Sequence, residues 1–256
     1  MMENRLSKNK ISYIRSLERK KDRGKEGVFL AEGTKVAGDL MSAFRCRFVA
    51  AVKEWFDAHP EIRADEMCCV TEEELQHASL MKTPQQVLAI FEQRTDAFDV
   101  SVASSSLCLA LDGIQNPGNL GTIIRLADWF GIEHVICSPD TADIYNPKTV
   151  QATMGAMAHV KTHYMELPAL FESLPADIPV YGTLLDGNNI YGEQLSQHGI
   201  IVMGNEGRGI RPTTEKYVNK KLYIPNYPVG RPTTDSLNVA IATSIVCAEF
   251  RRQAAR

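Results

Sequence analysis

The residues best placed to do chemistry in this chain fall in three loops. The first, DGIQNPGNLGTIIR (112–125), joins an apolar run to a helical pattern. Asn119 is of the residue type that caps helices. Arg125, six residues on, sits among Ile123, Ile124, Leu126 and Ala127. A cation in such surroundings snorkels, pairs with an anion, or is aimed at a phosphate or a reacting hydroxyl. The second loop, MGNEGRGI (203–210), combines three glycines with Glu206. Glycines at that density let backbone approach a flat ligand closely, and Glu206 could pair with a cation such as Arg125. The third lies within LYIPNYPVGRPTTDSLNVAIATSIVCAEFR (222–251), where Ser236 and Asn238 open a helical pattern almost free of polar residues until Glu249. A helix apolar nearly all round is meant to be buried. Its polar mouth then needs hydrogen-bond partners or a ligand that supplies them.

Other chemistries fit less well. Asp112, Asp186, Glu206 and Asp235 all fall at predicted strand ends, but nothing in the sequence fixes the distances a carboxylate pair would need. The glycines of the second loop run G-x-x-G-x-G and come late in the chain, unlike a dinucleotide fingerprint. Ser236 lacks a nucleophile-elbow setting, and none of the six histidines shares a loop with the Gly/Asn clusters. Six cysteines show no C-x-x-C spacing and no metal-ligand cluster accompanies them, so no metal is expected.

Stepping outward, the second half of the chain must position these loops. Apolar strand candidates at 107–111, 134–137, 180–185, 200–203 and 222–225 alternate with helix candidates at 120–130, 147–159, 167–173, 190–197, after Arg211, and at 236–251. Continuous apolar strands separated by helices imply a parallel sheet covered on both faces. Chemistry then belongs beyond the carboxyl ends of the strands, where the Gly-, Asn- and Pro-rich segments lie. The first ninety or so residues show a looser β-α alternation, with strands at 28–31, 47–52, 68–70 and 86–92 and Thr71 capping an acidic helix. The reading is an α/β domain over 1–94, a polar linker over 95–106 and a second α/β domain over 107–256.

Charge is unevenly spread. Residues 1–35 hold ten basic and five acidic side chains within a chain of net charge −3. Lys8, Lys10, Arg15, Arg19, Lys20, Lys21, Arg23 and Lys35 are candidates to meet a polyanion, against the alternative of a solvated helix face. No apolar run reaches membrane-span length, the N-terminal MMENRLSKNK has no secretory character, and the thiols suit a reducing compartment; a cytoplasmic protein is expected.

Together the loops resemble the SpoU/TrmH family of RNA ribose 2′-O-methyltransferases in the SPOUT superfamily. NPGNLGTIIRLADWFG (116–131), IIVMGNEGRGI (200–210) and IPN…SLNVAIATSI (224–245) are similar to its three motifs, in order. NPKTVQATMGA (146–156) is similar to its helix ending in Gly-Ala, and residues 7–92 resemble the substrate-binding domain that often precedes it. The resemblance implies a C-terminal trefoil knot, S-adenosylmethionine as cofactor, a homodimer, and ribosomal RNA ahead of transfer RNA as substrate. A non-catalytic RNA-binding protein that kept the fold is the alternative. By matching position it implies cofactor contacts at Thr183, Leu184, Gly204, Ile224 and Leu237. It further implies that Arg125 activates the ribose hydroxyl, with Asn119, Glu206, Ser236 and Asn238 shaping the site. Because a sulfonium donor is already electrophilic, such a reaction requires no metal. One departure is the lengthened loop Tyr227–Asp235, where Arg231 could add a phosphate contact.

Overall fold

A computed structural model describes residues 5–228, 231, 232, 234 and 236–254. The chain forms two compact units, residues 1–95 with 143–159, and residues 96–142 with 160–256.

In the first unit, α1 (Lys8–Ser16) and α2 (Lys20–Glu26) replace the single helix that the spacing of Ile11, Ile14 and Leu17 suggests. Arg19 between them is extended, and Ile14 and Leu17 are buried. There follow β1 (Val28–Glu32), α3 (Thr34–Met41), β2 (Cys46–Ala51), α4 (Lys53–Ala58), β3 (Glu66–Cys69), α5 (Glu72–Ala78) and β4 (Val87–Glu92). The strands are ordered β1-β4-β2-β3, with β4 antiparallel to both neighbours. Thr71 and Glu74 form a reciprocal capping box at α5.

The second unit opens earlier than composition suggests. Val100–Ser104 is a 3-10 turn, Ala103 is buried, and Phe98, Val100 and Val102 pack on the sheet core. The segment read as a linker is therefore largely part of this unit, because its small polar residues are interleaved with apolar ones. Then come β5 (Leu107–Asp112), α6 (Pro117–Trp129) and β6 (His134–Cys137). The chain leaves for residues 143–159, where α7 (Pro147–Thr153) and a 3-10 turn (Ala156–Ala158) join the first unit. Met154 and Gly155, at φ of 52° and 94°, break what the sequence suggests is one helix.

It returns as β7 (Lys161–Tyr164), α8 (Leu167–Ser173), β8 (Val180–Asn189), β9 (Gly199–Gly204), α9 (Pro212–Glu215), β10 (Lys220–Tyr223) and α10 (Val239–Ala254). The sheet order is β10-β8-β9-β5-β6-β7, parallel throughout. Every residue of β5, and all but the last of β9, is buried, as expected for strands covered on both faces. Strand β7 went unpredicted because this edge strand buries only His163. The helix expected over 190–197 is a single 3-10 turn at Ile190–Gly192. Nearby backbone donors go to side chains instead, Leu195 to Gln253 and Ser196 to Tyr181.

Candidate active site

Three strand-end loops of the second unit converge through their side chains. Pro117 occupies the first turn of α6, and Asn116 caps it, its Oδ1 accepting from the Gly118 and Asn119 amides at 2.8 and 3.2 Å. Asn116, not Asn119, is therefore the cap, which leaves the Asn119 carboxamide free to point elsewhere. Its Nδ2 donates to Glu206 Oε1, and its Oδ1 accepts from Asn238 Nδ2 at 3.1 Å. Asn238 in turn caps α10, accepting from Ala240 and Ile241 amides at 3.0 and 3.3 Å. Ser236 Oγ donates to the Glu206 carbonyl at 3.3 Å. Four residues from three loops thus form one connected chain. Both ends of the Asn119 carboxamide are used, so its orientation is fixed, with the Glu206 carboxylate as the terminal acceptor.

This chain borders a cleft of about 720 Å³, within the range of small-molecule sites. Thr183, Leu184, Gly204, Ile224 and Leu237 all line it, together with Glu206, Ser236, Arg208 and Met203. Its shape has two local causes. Pairing of β10 with β8 jumps between Lys221 and Leu222, from Gly182 to Asn188, so the intervening residues leave the ladder and Thr183–Asp186 form a wall. Gly187 rejoins where a Cβ would collide with the Leu222 backbone. Opposite, Gly204 lies so close to the backbone of Gly209 and Ile210 that no side chain fits. The wall is mixed, with apolar Leu184, Met203, Ile224 and Val239 beside the carboxylates of Asp186, Glu206 and Glu215. Asp186 and Glu215 are paired with Lys221, so Glu206 is the carboxylate left to favour a ligand that is flat in part and positively charged in part.

Arg125 does not join this network. It is exposed on α6, and among the described residues it has no hydrogen-bond or ion-pair partner. The pairing with Glu206 that charge alone suggested is not made; Glu206 Oε1 accepts from Asn119 instead. Ser236 and Asn238 are exposed rather than buried, and α10 buries one face while leaving Ile241 55% accessible. The other carboxylates are engaged, Asp112 with Arg211 and Asp186 with Lys221, while Asp235 lies outside the described residues. In the lengthened loop Arg231 is exposed and its carbonyl accepts from Asn226 Nδ2 at 2.9 Å; Val229, Gly230, Thr233 and Asp235 lie outside the described residues.

The basic candidates of the first unit divide sharply. Arg23 is 1% accessible, with its guanidinium on the Leu17 and Glu18 carbonyls and on Asp143 at 2.6 Å, so it is a core residue and not part of a surface. Lys10 pairs with Glu66, Arg19 with Asp22 and Lys35 with Asp39, and Arg15 donates to the His77 and Ser79 carbonyls. Lys8, Lys20 and Lys21 are exposed and make no such pair among the described residues.

Burial holds the thiols of Cys108 and Cys247 up at about 12, which makes them inert at neutral pH. Among the described residues no group of three or more His, Cys, Asp or Glu could hold a metal ion. No described helix is long and apolar enough to cross a membrane.

A parallel sheet with a side-chain chain and a glycine-lined cleft at its carboxyl edge, following a small mixed-sheet unit, defines the class. The chain belongs to the SpoU rRNA Methylase family, whose model matches residues 106–248, and an MRM3-like substrate binding domain matches residues 8–89. Among particular relatives, the chain is 29% identical to the 23S rRNA (guanosine(2553)-2′-O)-methyltransferase RlmP of Bacillus subtilis, over 94% of this chain and 96% of that one. It is 31% identical to the 23S rRNA (guanosine-2′-O-)-methyltransferase RlmB of Neisseria meningitidis, over 60% of this chain and 61% of that one. A TrmH-family structure from Porphyromonas gingivalis matches with a TM-score of 0.86 and 38% identity, covering 97% of this chain and 99% of that one. An AdoMet-bound rRNA methyltransferase from Sinorhizobium meliloti matches with a TM-score of 0.83 and 28% identity, over 98% and 97%.

Proposed function

We propose that the protein transfers a methyl group from S-adenosylmethionine to a ribose 2′-hydroxyl of structured RNA in the cytoplasm, with ribosomal RNA as the substrate. The observation that carries this reading is the Asn238–Asn119–Glu206 chain set on the rim of the cleft. Relatives named for 2′-O-methylation of 23S rRNA support the choice of substrate.

The cleft residues fit the cofactor. Backbone at Gly204 and Thr183, and the apolar side chains of Leu184, Ile224 and Leu237, would hold it. When bound, S-adenosylmethionine supplies a methyl group on a positively charged sulfur. The Glu206 carboxylate at the cleft favours such a charge, and its pairing with Asn119 holds it in place. A ribose hydroxyl is a poor nucleophile, so as its oxygen took the methyl group and S-adenosylhomocysteine was left, its proton would have to pass to water at this exposed rim. A guanidinium is a poor base, so Arg125 serves best by holding an RNA phosphate and stabilising the developing alkoxide. Its exposure and lack of a protein partner leave the guanidinium open to an anion. Ser236 and Asn238 keep the opening of α10 fixed beside that reaction.

The active form is a homodimer with the family's trefoil knot. Trp129 on α6 and Ile241 on α10 are 85% and 55% accessible, a cost that a second copy would remove by covering both helices. Exposed Lys8, Lys20 and Lys21 make the first unit the RNA-gripping part, with a salt-dependent contribution to binding.

The test is transfer of labelled methyl to total RNA, with 2′-O-methyl positions mapped in cells with and without the protein. We expect one or a few ribosomal positions to lose the mark, and Arg125→Ala to abolish transfer while changing stability by no more than about 0.5 kcal/mol. No transfer to any ribosomal or transfer RNA would defeat the reading and favour an RNA-binding role.

A further inference from the structure

Behind the Glu206 loop lies a second polar network that the reaction chemistry does not use. Asp112 closes β5 and is fully buried. Its Oδ2 accepts from the Arg211 amide at 2.9 Å and its Oδ1 from Arg211 Nε at 2.6 Å, with Arg211 Nη2 also on Oδ1. Arg211 reaches on to Asp140, 3.4 Å from Nη2. Asp140 accepts from Ser138 Oγ at 2.7 Å, and Ser138 Oγ in turn accepts from the Gly113 amide at 2.9 Å. Asn205, next to Glu206, donates from Nδ2 to the Gly113 carbonyl at 2.8 Å while its Oδ1 accepts from Gly207 and Arg208 amides. The segment Asn205–Arg211 is therefore tied at both ends to the same two residues, Asp112 and Gly113. Between the ties stands Glu206, and the two backbone bonds between Asn205 and Gly209 close the loop on itself.

We infer that Arg211 and Asn205 are positioning residues that set the Glu206 loop, and with it the glycine wall of the cleft, before any cofactor arrives. The physical ground is that Arg211 holds both oxygens of a buried carboxylate, its Nε and Nη2 on Oδ1 and its backbone amide on Oδ2, which fixes a geometry that a point-charge pair would not. An exposed, glycine-rich loop has no apolar core of its own to fix it. Without the ties the loop would sample many conformations, and a ligand would select the competent fraction at a proportionate loss of affinity. Neither residue touches the reacting atoms in this account. Both act through Glu206 and through the Gly204–Gly209 approach. The inference rests on the cofactor reading of the cleft.

The experiment measures two quantities on the full chain. Hydrogen exchange of the 204–211 amides is followed in the free protein, and S-adenosylhomocysteine affinity is measured by calorimetry. In Arg211→Lys, which keeps the charge and loses the fork, we expect exchange across 204–211 to quicken and affinity to fall about tenfold, the scale of one charge-assisted hydrogen bond. Exchange in β5 and over residues 199–203 of β9 stays as in the parent. Asn205→Ala, which leaves the buried ion pair intact and so should fold, is expected to quicken exchange in the same segment. Unchanged exchange and affinity in both Arg211→Lys and Asn205→Ala overturns the inference, as does exchange that quickens throughout the sheet. Failure of the parent protein to bind S-adenosylhomocysteine would instead overturn the cofactor reading, and slowed or unchanged loop exchange in the variants would still be decisive against positioning.

Discussion

Replacing Arg23 by Met separates two meanings of a basic residue. In sequence Arg23 belongs to the basic N-terminal set; in the structure its guanidinium sits buried against the Leu17 and Glu18 carbonyls, at 2.8 and 2.6 Å, and against Asp143. Removing it strips a partly buried carboxylate of its counter-charge and two carbonyls of their donor, with methionine filling most of the volume. Breaking a buried pair by removing one partner costs about 3–5 kcal/mol. For a domain of about a hundred residues that is on the order of 12 °C or more in melting temperature. The expectation is a calorimetric transition of the first unit lowered by that amount, with the slope of log affinity for RNA against log salt unchanged. A lost phosphate contact would instead reduce that slope by about one with little change in melting. Seeing the slope fall while the transition stays put would refute the assignment of Arg23 to the core.

Three further outcomes follow from the geometry. Burial, joined for His134 by the neighbouring His163 ring, lowers the folded pKa of both histidines, whose nitrogens lie 3.1 Å apart. A depressed histidine contributes stability that is fully present above the unfolded value near about 6.5 and is lost as pH falls below it, so melting should drop from pH 7.5 to 5.5 and drop less in His163→Gln. Gly204→Ala should cost about 1–3 kcal/mol through overpacking against Gly209 and Ile210 and should erase S-adenosylhomocysteine binding by calorimetry; normal binding would show that the close approach is dispensable. Ile241→Glu should turn the proposed dimer into a monomer in sedimentation analysis with little loss of fold, and a monomeric parent would remove the dimer from the account.

Much of the fold was legible because its signals are local. Unbroken apolar runs such as LCLALD and GIIVMG can be buried on both faces only in a covered parallel sheet, and these became β5 and β9. The loops that follow them were legible through their Gly and Asn content. What the sequence concealed depends on partners far along the chain. Asn116 followed by Pro117 is a local capping signal, but nothing near Asn119 shows that its freed carboxamide would reach Glu206, 87 residues on. Asp112 was legible only as a carboxylate at a strand end; the cation that holds it, Arg211, lies 99 residues away, and spacing could not name it. Arg23 and Asp143 are 120 residues apart, so the one basic residue of the N-terminal set that is not at the surface looked like the rest.

That last pair bears on how the two units are inherited and exchanged. Residues 143–159 lie in sequence between two strands of the methylase sheet, yet they complete the other unit, where α7 packs on β1 and Tyr145 stacks against Phe29. The boundary between the units is thus crossed by the polypeptide three times, and neither is a removable segment. A swap of residues 1–94 for the corresponding stretch of a relative would leave Asp143 and Tyr145 facing a foreign surface. Retargeting the protein to another RNA by exchanging its proposed RNA-gripping unit would require transplanting the interior insert as well. Such modularity as this architecture has is two-piece, and any drift in the first ninety residues is answerable to seventeen more in the middle of the chain.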